Sequence, residues 1–229
     1  MSIHPLDRPV WTMLTTRQAV LARGDRRAWR IDPGYGPFAA ARDQGVEAMA
    51  ALAELVRPGE HVWLVEAEEW PAPSGLVTVR TAPLAQMVAE HPMPLQPGDE
   101  QCVLLGDADA AEMAELALAT EPGPWRAQTR RYGQFYGVRR DGRLAAMAGA
   151  RMLPGDKYAE VSGVCTWPEY RGQGLAAQLI RQVMAGFSAR GLTPFLHSYA
   201  GNAKAIALYE SLGFRLRRNM VVTVLERVE

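Results

Sequence analysis

The chain has 229 residues, enough for one large or two small domains; 48% hydrophobic against 22% charged residues is the balance of an ordinary globular protein. Lys plus Arg and Asp plus Glu stand at 25 each, so no excess charge argues for a nucleic-acid or membrane partner. Residues 1–8 are polar and broken by proline, no apolar run reaches membrane-spanning length, and Cys102 and Cys165 sit in apolar runs that suit buried free thiols, so a cytoplasmic location is expected.

Residues 1–97 read as an α/β unit without a catalytic signature. A helix is expected over Thr15–Ala22, and Asp32 to Pro37 is dense in turn formers. Val46–Val56 places Met49, Leu52, Ala53 and Val56 at helical spacing and stops at Pro58-Gly59. His61–Glu66 and Gly75–Arg80 read as strands and Leu84–Glu90 as a short helix. Two readings of this part stand open: a domain that packs on the C-terminal half and shapes its acceptor cleft, or a diverged second copy of that half lacking its cofactor loop. His91–Gly98, with prolines at 92, 94 and 97, is the best linker, which sets the division into 1–97 and 98–229.

Past the linker, Gln101–Leu105 reads as a strand, and Ala108–Ala119 as a helix with Met113, Leu116 and Ala117 on one face and Asp107 or Asp109 as N-cap. Glu121-Pro122-Gly123-Pro124 ends it, and Trp125–Tyr132 is expected as a short helix. Gln134–Arg139 and Arg143–Leu153 read as strands joined at Asp141-Gly142, a hairpin dipeptide. Tyr158–Thr166 is a strand rich in β-branched and small residues, stopped by Trp167-Pro168. Leu175, Leu179, Ile180, Val183, Met184 and Phe187 then mark a helix to about Arg190. Strand Thr193–Tyr199, helix Asn202–Leu212 and a final strand pair to Leu225 complete an α/β chain with a mixed sheet.

The stretch Arg171-Gly172-Gln173-Gly174-Leu175-Ala176-Ala177 carries the chemistry. A helix entered through glycines presents unpaired N–H groups and a partial positive charge, which suits a phosphate. No lysine follows the glycines, so this is not a Walker loop. Gly172 to Ala177 also fits G-x-G-x-x-A, but a dinucleotide site needs an acidic residue ending the next strand, and Thr193–Ser198 has none. Arg171, Gly174 and Ala176 fit the third pattern, [QR]-x-x-G-x-[GA]. Downstream, Asn202 to Phe214 reads N-x-x-A-x-x-x-Y-x-x-x-G-F.

These two stretches, in this order and separation, resemble the GNAT superfamily of acyl-CoA-dependent N-acyltransferases, from near Gln101 to the end. The wording EVSGVCTWPEYRGQGLA further resembles the branch that includes glycine N-acyltransferase-like proteins. The resemblance implies acetyl-CoA as co-substrate and direct attack of an amine, small-molecule or peptide, on the thioester. It implies main-chain contacts to pantetheine from Val164, Cys165 and Thr166, and contacts to the pyrophosphate from Arg171, Gly172, Gln173, Gly174, Leu175, Ala176 and Ala177.

Tyr209 is the expected general acid, since a phenol with a pKa of about 10 can protonate a departing thiolate while neutral itself. Its plain alternative is a core aromatic beside Ile206 and Leu212. Asn202 reads as helix N-cap and cofactor contact. Glu160 is the expected general base, placed by strand alternation on one face with Ser162 and Val164; a structural salt bridge, or a water relay, is the alternative. His197 and Ser198 stand in reserve. Cys165 lacks the His–Asp support of a nucleophile, and no metal set is expected. A non-catalytic acyl-CoA sensor and a nucleotide-dependent oxidoreductase are the competing function classes.

Overall fold

The computed structural model describes residues 4–228. In chain order its elements are α1 (Pro9–Thr15), β1 (Ala22–Asp25), β2 (Ala28–Ile31), β3 (Ala39–Ala41), α2 (Val46–Glu54), β4 (His61–Glu66) and β5 (Leu76–Val88). There follow β6 (Val103–Leu105), α3 (Ala110–Thr120), β7 (Phe135–Arg140), β8 (Arg143–Ala150), β9 (Tyr158–Thr166), α4 (Leu175–Ser188), β10 (Thr193–Tyr199), α5 (Ala203–Ser211) and β11 (Arg215–Arg227). Strands β1-β2-β3 form a small antiparallel sheet, and an eight-stranded mixed sheet runs β4-β11-β5-β10-β9-β8-β7-β6.

Strands β9 and β10 run parallel, so a crossover must join them, and α4 is that crossover. Its apolar stripe, Leu175 to Phe187, packs on Val161 and Leu196 of those strands, with Ile206, Leu208 and Tyr209 of α5 against the same cluster. On the other face, α1 packs with Leu84, Phe195, Met220 and Val222, α2 with Val62, Leu64 and Leu225, and α3 with Phe135, Met147 and Cys165. Asp141 (φ 52) and Gly142 (φ 79) form the expected tight turn between β7 and β8.

Several elements differ from expectation. Leu84–Val88 belongs to β5, a 13-residue strand, rather than to a helix. That strand lies between β10 and β11, and its end is buried on both faces, Gln86 included, so it shows no apolar–polar period of two. The expected C-terminal strand pair is one long strand, β11, whose partners β5 and β4 come from the start of the chain. The sheet therefore runs without a break across position 97/98. The first helix starts at Pro9, a residue suited to a first turn, and ends where the expected one would begin, seating Val10, Met13 and Leu14 in the core. Over Trp125–Tyr132 only a 3₁₀ turn forms, at Thr129–Arg131, with the Thr129 hydroxyl accepting from the Arg126 N–H and donating to the Tyr35 carbonyl. The segment before β6 is pinned by a buried Arg181–Asp99 pair, with both N–H···O distances 2.7 Å.

Candidate active site

The site begins where two strands part. β10 pairs with β9 only at Thr193↔Tyr158, Pro194↔Ala159 and Phe195↔Glu160. Both strands then continue, β9 beside β8 and β10 beside β5, while their facing edges carry no ladder to each other. Main-chain N–H and C=O groups along 161–166 and 196–199 are thus left facing a gap, where they need water or a ligand.

A bulge aims the side chains there. Between the pairs Met147↔Cys165 and Gly149↔Ser162, β9 carries one residue more than β8, and Gly163 takes φ 62. A Cβ at Gly163 would also stand 2.8 Å from Phe135 Cε1. The extra residue shifts the alternation, so Val161 and Val164 both touch the α4 cluster although three residues apart, while Cys165 turns to the α3 side. Glu160 and Val164 therefore do not share a face, and the simple alternation expected from sequence fails at the bulge. The Cys165 thiol, pushed up to about 12 by burial, is inert, and only its main chain is left for a ligand.

The loop after β9 is open. Arg171, Gly172, Gln173 and Gly174 are exposed, and Gly172 (φ 79) and Gly174 (φ 76) would each meet nothing within 4 Å if a Cβ were added. Their need for glycine is conformational. Arg171 Nε donates to the Thr166 carbonyl at 3.2 Å, tying the loop to the end of β9. Gly174 caps the 14-residue α4, so N–H groups of its first turn face outward. Leu175 is a core residue, with Ala176 and Ala177 half-buried behind it. Among the described residues nothing stands within 4 Å of a Cβ built at Gly172 or Gly174, so the loop is open on its outer side.

Asn202 caps α5, accepting from the Ala205 N–H at 3.2 Å. One helical stretch on, Tyr209 stacks edge-on against Phe214, with ring centroids 6.1 Å apart, and burial raises its phenol pKa. Asn202 and Tyr209 line a cavity of about 340 Å³ with Val164, Arg151, Met152, His197, Ser198 and Tyr199. Phe38, Trp63, Val65 and Leu84 close it from the N-terminal part of the chain. The sequence reading missed these walls, since packing alone brings them here. Arg151 was missed too, although a lone arginine ending the apolar run Leu144–Met152 is a readable sign of a buried partner.

That partner is Glu160, fully buried. Arg151 Nε and Nη2 donate to its two oxygens, each at 2.8 Å; the Met152 N–H donates to Oε2 at 3.3 Å, and His197 Nδ1 lies 2.8 Å from Oε1. Four donors occupy the carboxylate's four lone-pair directions. Burial opposes its charge, but Arg151 and then His197 outweigh that and hold its pKa at about 2. With its lone-pair directions taken and its charge held by Arg151 and His197, the geometry of Glu160 favours the structural salt bridge over the general base. Its acceptor role makes His197 the Nδ1–H tautomer, whose Nε2 accepts from Gln86 Nε2 at 3.1 Å. Gln86 is oriented in turn by the Leu6 carbonyl and by Arg217 Nη1, both at 2.8 Å, and Arg217 Nη2 donates to Asp7 at 2.7 Å. Among the described residues no metal-binding cluster occurs, and no helix is long and apolar enough to cross a membrane.

Comparison with known proteins adds to this geometry. Residues 107–214 match the family model described as Acetyltransferase (GNAT) family. A ribosomal protein bS18 alanine N-acetyltransferase from Escherichia coli K12 is 34% identical over 110 residues, covering 44% of this chain and 72% of that protein. The N-alpha-acetyltransferase RimI of Mycobacterium tuberculosis is 33% identical over 119 residues, covering 47% and 73%. A crystal structure assigned to the GNAT acetyltransferases, from Novosphingobium aromaticivorans, is 58% identical with a TM-score of 0.93, covering 99% of this chain and 100% of that one. These relatives give the finer resemblance to glycine N-acyltransferase-like proteins no support.

Proposed function

From the premise that the chain belongs to the GNAT family of acetyltransferases, we propose that it moves the acetyl group of acetyl-CoA onto an amine held in the cavity beside Tyr209 and Val164. One observation carries the reading: the free edge of β9 leads from the open glycine loop at α4 to the cavity lined by Val164, Asn202 and Tyr209.

The residues present fit an acyl-CoA. Amides of Gly172 to Ala177 and the charge of Arg171 suit its diphosphate, and the unpaired edge of Val164, Cys165 and Thr166 suits pantetheine, as an added strand would be held. When bound, acetyl-CoA supplies an activated acetyl thioester for direct attack by the amine. Tyr209, kept neutral by burial, is the hydrogen-bond and proton donor to the sulfur as it leaves. Glu160 acts as a positioning residue that fixes Arg151 and the His197 tautomer, so the proton from the amine goes to cavity water. Residues 1–97 complete the catalytic half, shaping the acceptor side of the cleft with Phe38, Trp63 and Val65.

The test is thiol release from acetyl-CoA across an amine panel, with calorimetry of CoA binding alongside. Amine-dependent thiol release supports transfer; tight CoA binding without release on any amine would instead establish a sensor with an idle site.

A further inference from the structure

Two charged groups lining the cavity, Arg151 and Glu121, bear on the identity of the acceptor. Arg151 spends Nε and Nη2 on Glu160, and its guanidinium carbon lies 4.9 Å from the Phe38 ring centroid, which holds the plane in place. Among the described residues nothing accepts from Nη1, and that nitrogen lies 3.7 Å from where a Cβ of Gly123 would stand. Arg151 and Gly123 both line the cavity. A fixed, half-used guanidinium in a mostly buried site is a receptor for an oxygen anion. Its positive charge is balanced from behind by Glu160, so the pull on a simple anion is modest. Glu121, the exposed left-handed C-cap of α3 (φ 47), adds an acidic residue to the lining of the same cavity. A bare carboxylate is thus disfavoured, and a molecule carrying both an amine and a carboxylate is matched.

Size points the same way. The cavity measures about 340 Å³, at the small end of the roughly 300–1,000 Å³ usual for ligand pockets, and it must also admit the acetyl thioester. Its apolar walls Phe38, Trp63 and Leu84 lie outside the stretch 107–214 that matches the family model, so the acceptor side is built by parts the family match does not cover.

Resting on the acetyl-transfer reading, we infer that the acceptor is a small free amino acid, its carboxylate held by Nη1 of Arg151 and its side chain packed against the wall that the edge-to-face pair Phe38 and Trp63 forms. The amine is then the atom left to face the thioester.

Replacing Arg151 would strip the buried Glu160 of its partner and endanger folding, so the acceptor is varied instead. The full-length protein is assayed by thiol release with the twenty free amino acids, their primary carboxamides, the decarboxylated amines and tripeptides with free N-termini. The best amino acid is expected to exceed its carboxamide by about 10- to 100-fold in kcat/KM, mostly through KM, as for a charge-assisted bond made equally before and during reaction. Trp63→Ala is expected to move the preference towards bulkier amino acids. Equal or better turnover of the carboxamides, the decarboxylated amines or the peptides overturns the inference while leaving acetyl transfer standing. Absence of release in every series, with CoA still bound by calorimetry, removes the acetyl-transfer reading and the inference together.

Discussion

Glu160→Gln separates a positioning carboxylate from a catalytic one. The substitution keeps the shape of the side chain and removes its charge, leaving the mostly buried Arg151 with an uncompensated positive charge. In the native protein the pKa falls from the usual 4.5 to about 2, against burial, because Arg151 and His197 favour the charged form. At 1.36 kcal/mol per pH decade that amounts to roughly 3 kcal/mol. Breaking a buried pair by removing one partner costs about 3–5 kcal/mol, the same range. Since the folded-state pKa lies below the unfolded one, the stabilisation is complete above pH 4.5 and drains away as the pH falls from there towards 2. Urea unfolding at pH 7 should therefore show the variant less stable by about 3–5 kcal/mol. Its stability should also fall less steeply than wild type between pH 5 and pH 3, because the carboxylate responsible is gone. A general base would behave otherwise: the variant would fold with near-native stability and lose turnover alone. A loss under about 1 kcal/mol at pH 7, with an unchanged pH dependence, refutes the structural reasoning.

Three further outcomes follow from the geometry. Tyr209→Phe keeps the ring contact with Phe214 and removes the proton donor, so kcat should fall by about 10²–10⁴ with little change in CoA affinity; full activity across the pH range would remove the acid assignment. Gly174→Ala meets no steric obstacle but must adopt φ 76, so a stability loss of about 1 kcal/mol and weaker CoA binding by calorimetry are expected; unchanged affinity would show that the loop does not hold the diphosphate. Gly163→Ala, strained at φ 62 and 2.8 Å from Phe135, should destabilise by about 1–3 kcal/mol in thermal melts and lower turnover through the displaced Val164; a melt like wild type would mean the bulge is not held by glycine.

The elements that were legible are those whose signal is local. His61–Glu66, Tyr158–Thr166 and Thr193–Tyr199 form strands with the boundaries expected, because β-branched residues and flanking turn formers act within a few positions. The Asp141-Gly142 turn and the glycine entry to α4 are equally local, since each depends on what φ a residue can adopt. Leu84–Val88 was illegible because burial on both faces erases the period that distinguishes strand from helix. The shared face expected for Glu160 and Val164 was misassigned for a related reason: one inserted residue at Gly163 reverses the phase of β9 beyond it, and nothing in the residue order announces it.

The sequence by itself determined the glycine loop and the family, since a chain that enters a helix through φ 79 and φ 76 needs glycines at set intervals, wherever it lies in the fold. Tertiary structure alone decided what lines the cavity. Phe38, Trp63 and Leu84 reach the cavity because β4 and β5 join a sheet whose other strands come from the far end of the chain. Pairing of that range is dictated by backbone edges in need of partners, and any apolar strand of suitable length can satisfy an edge, so the residue order carries little trace of which one does.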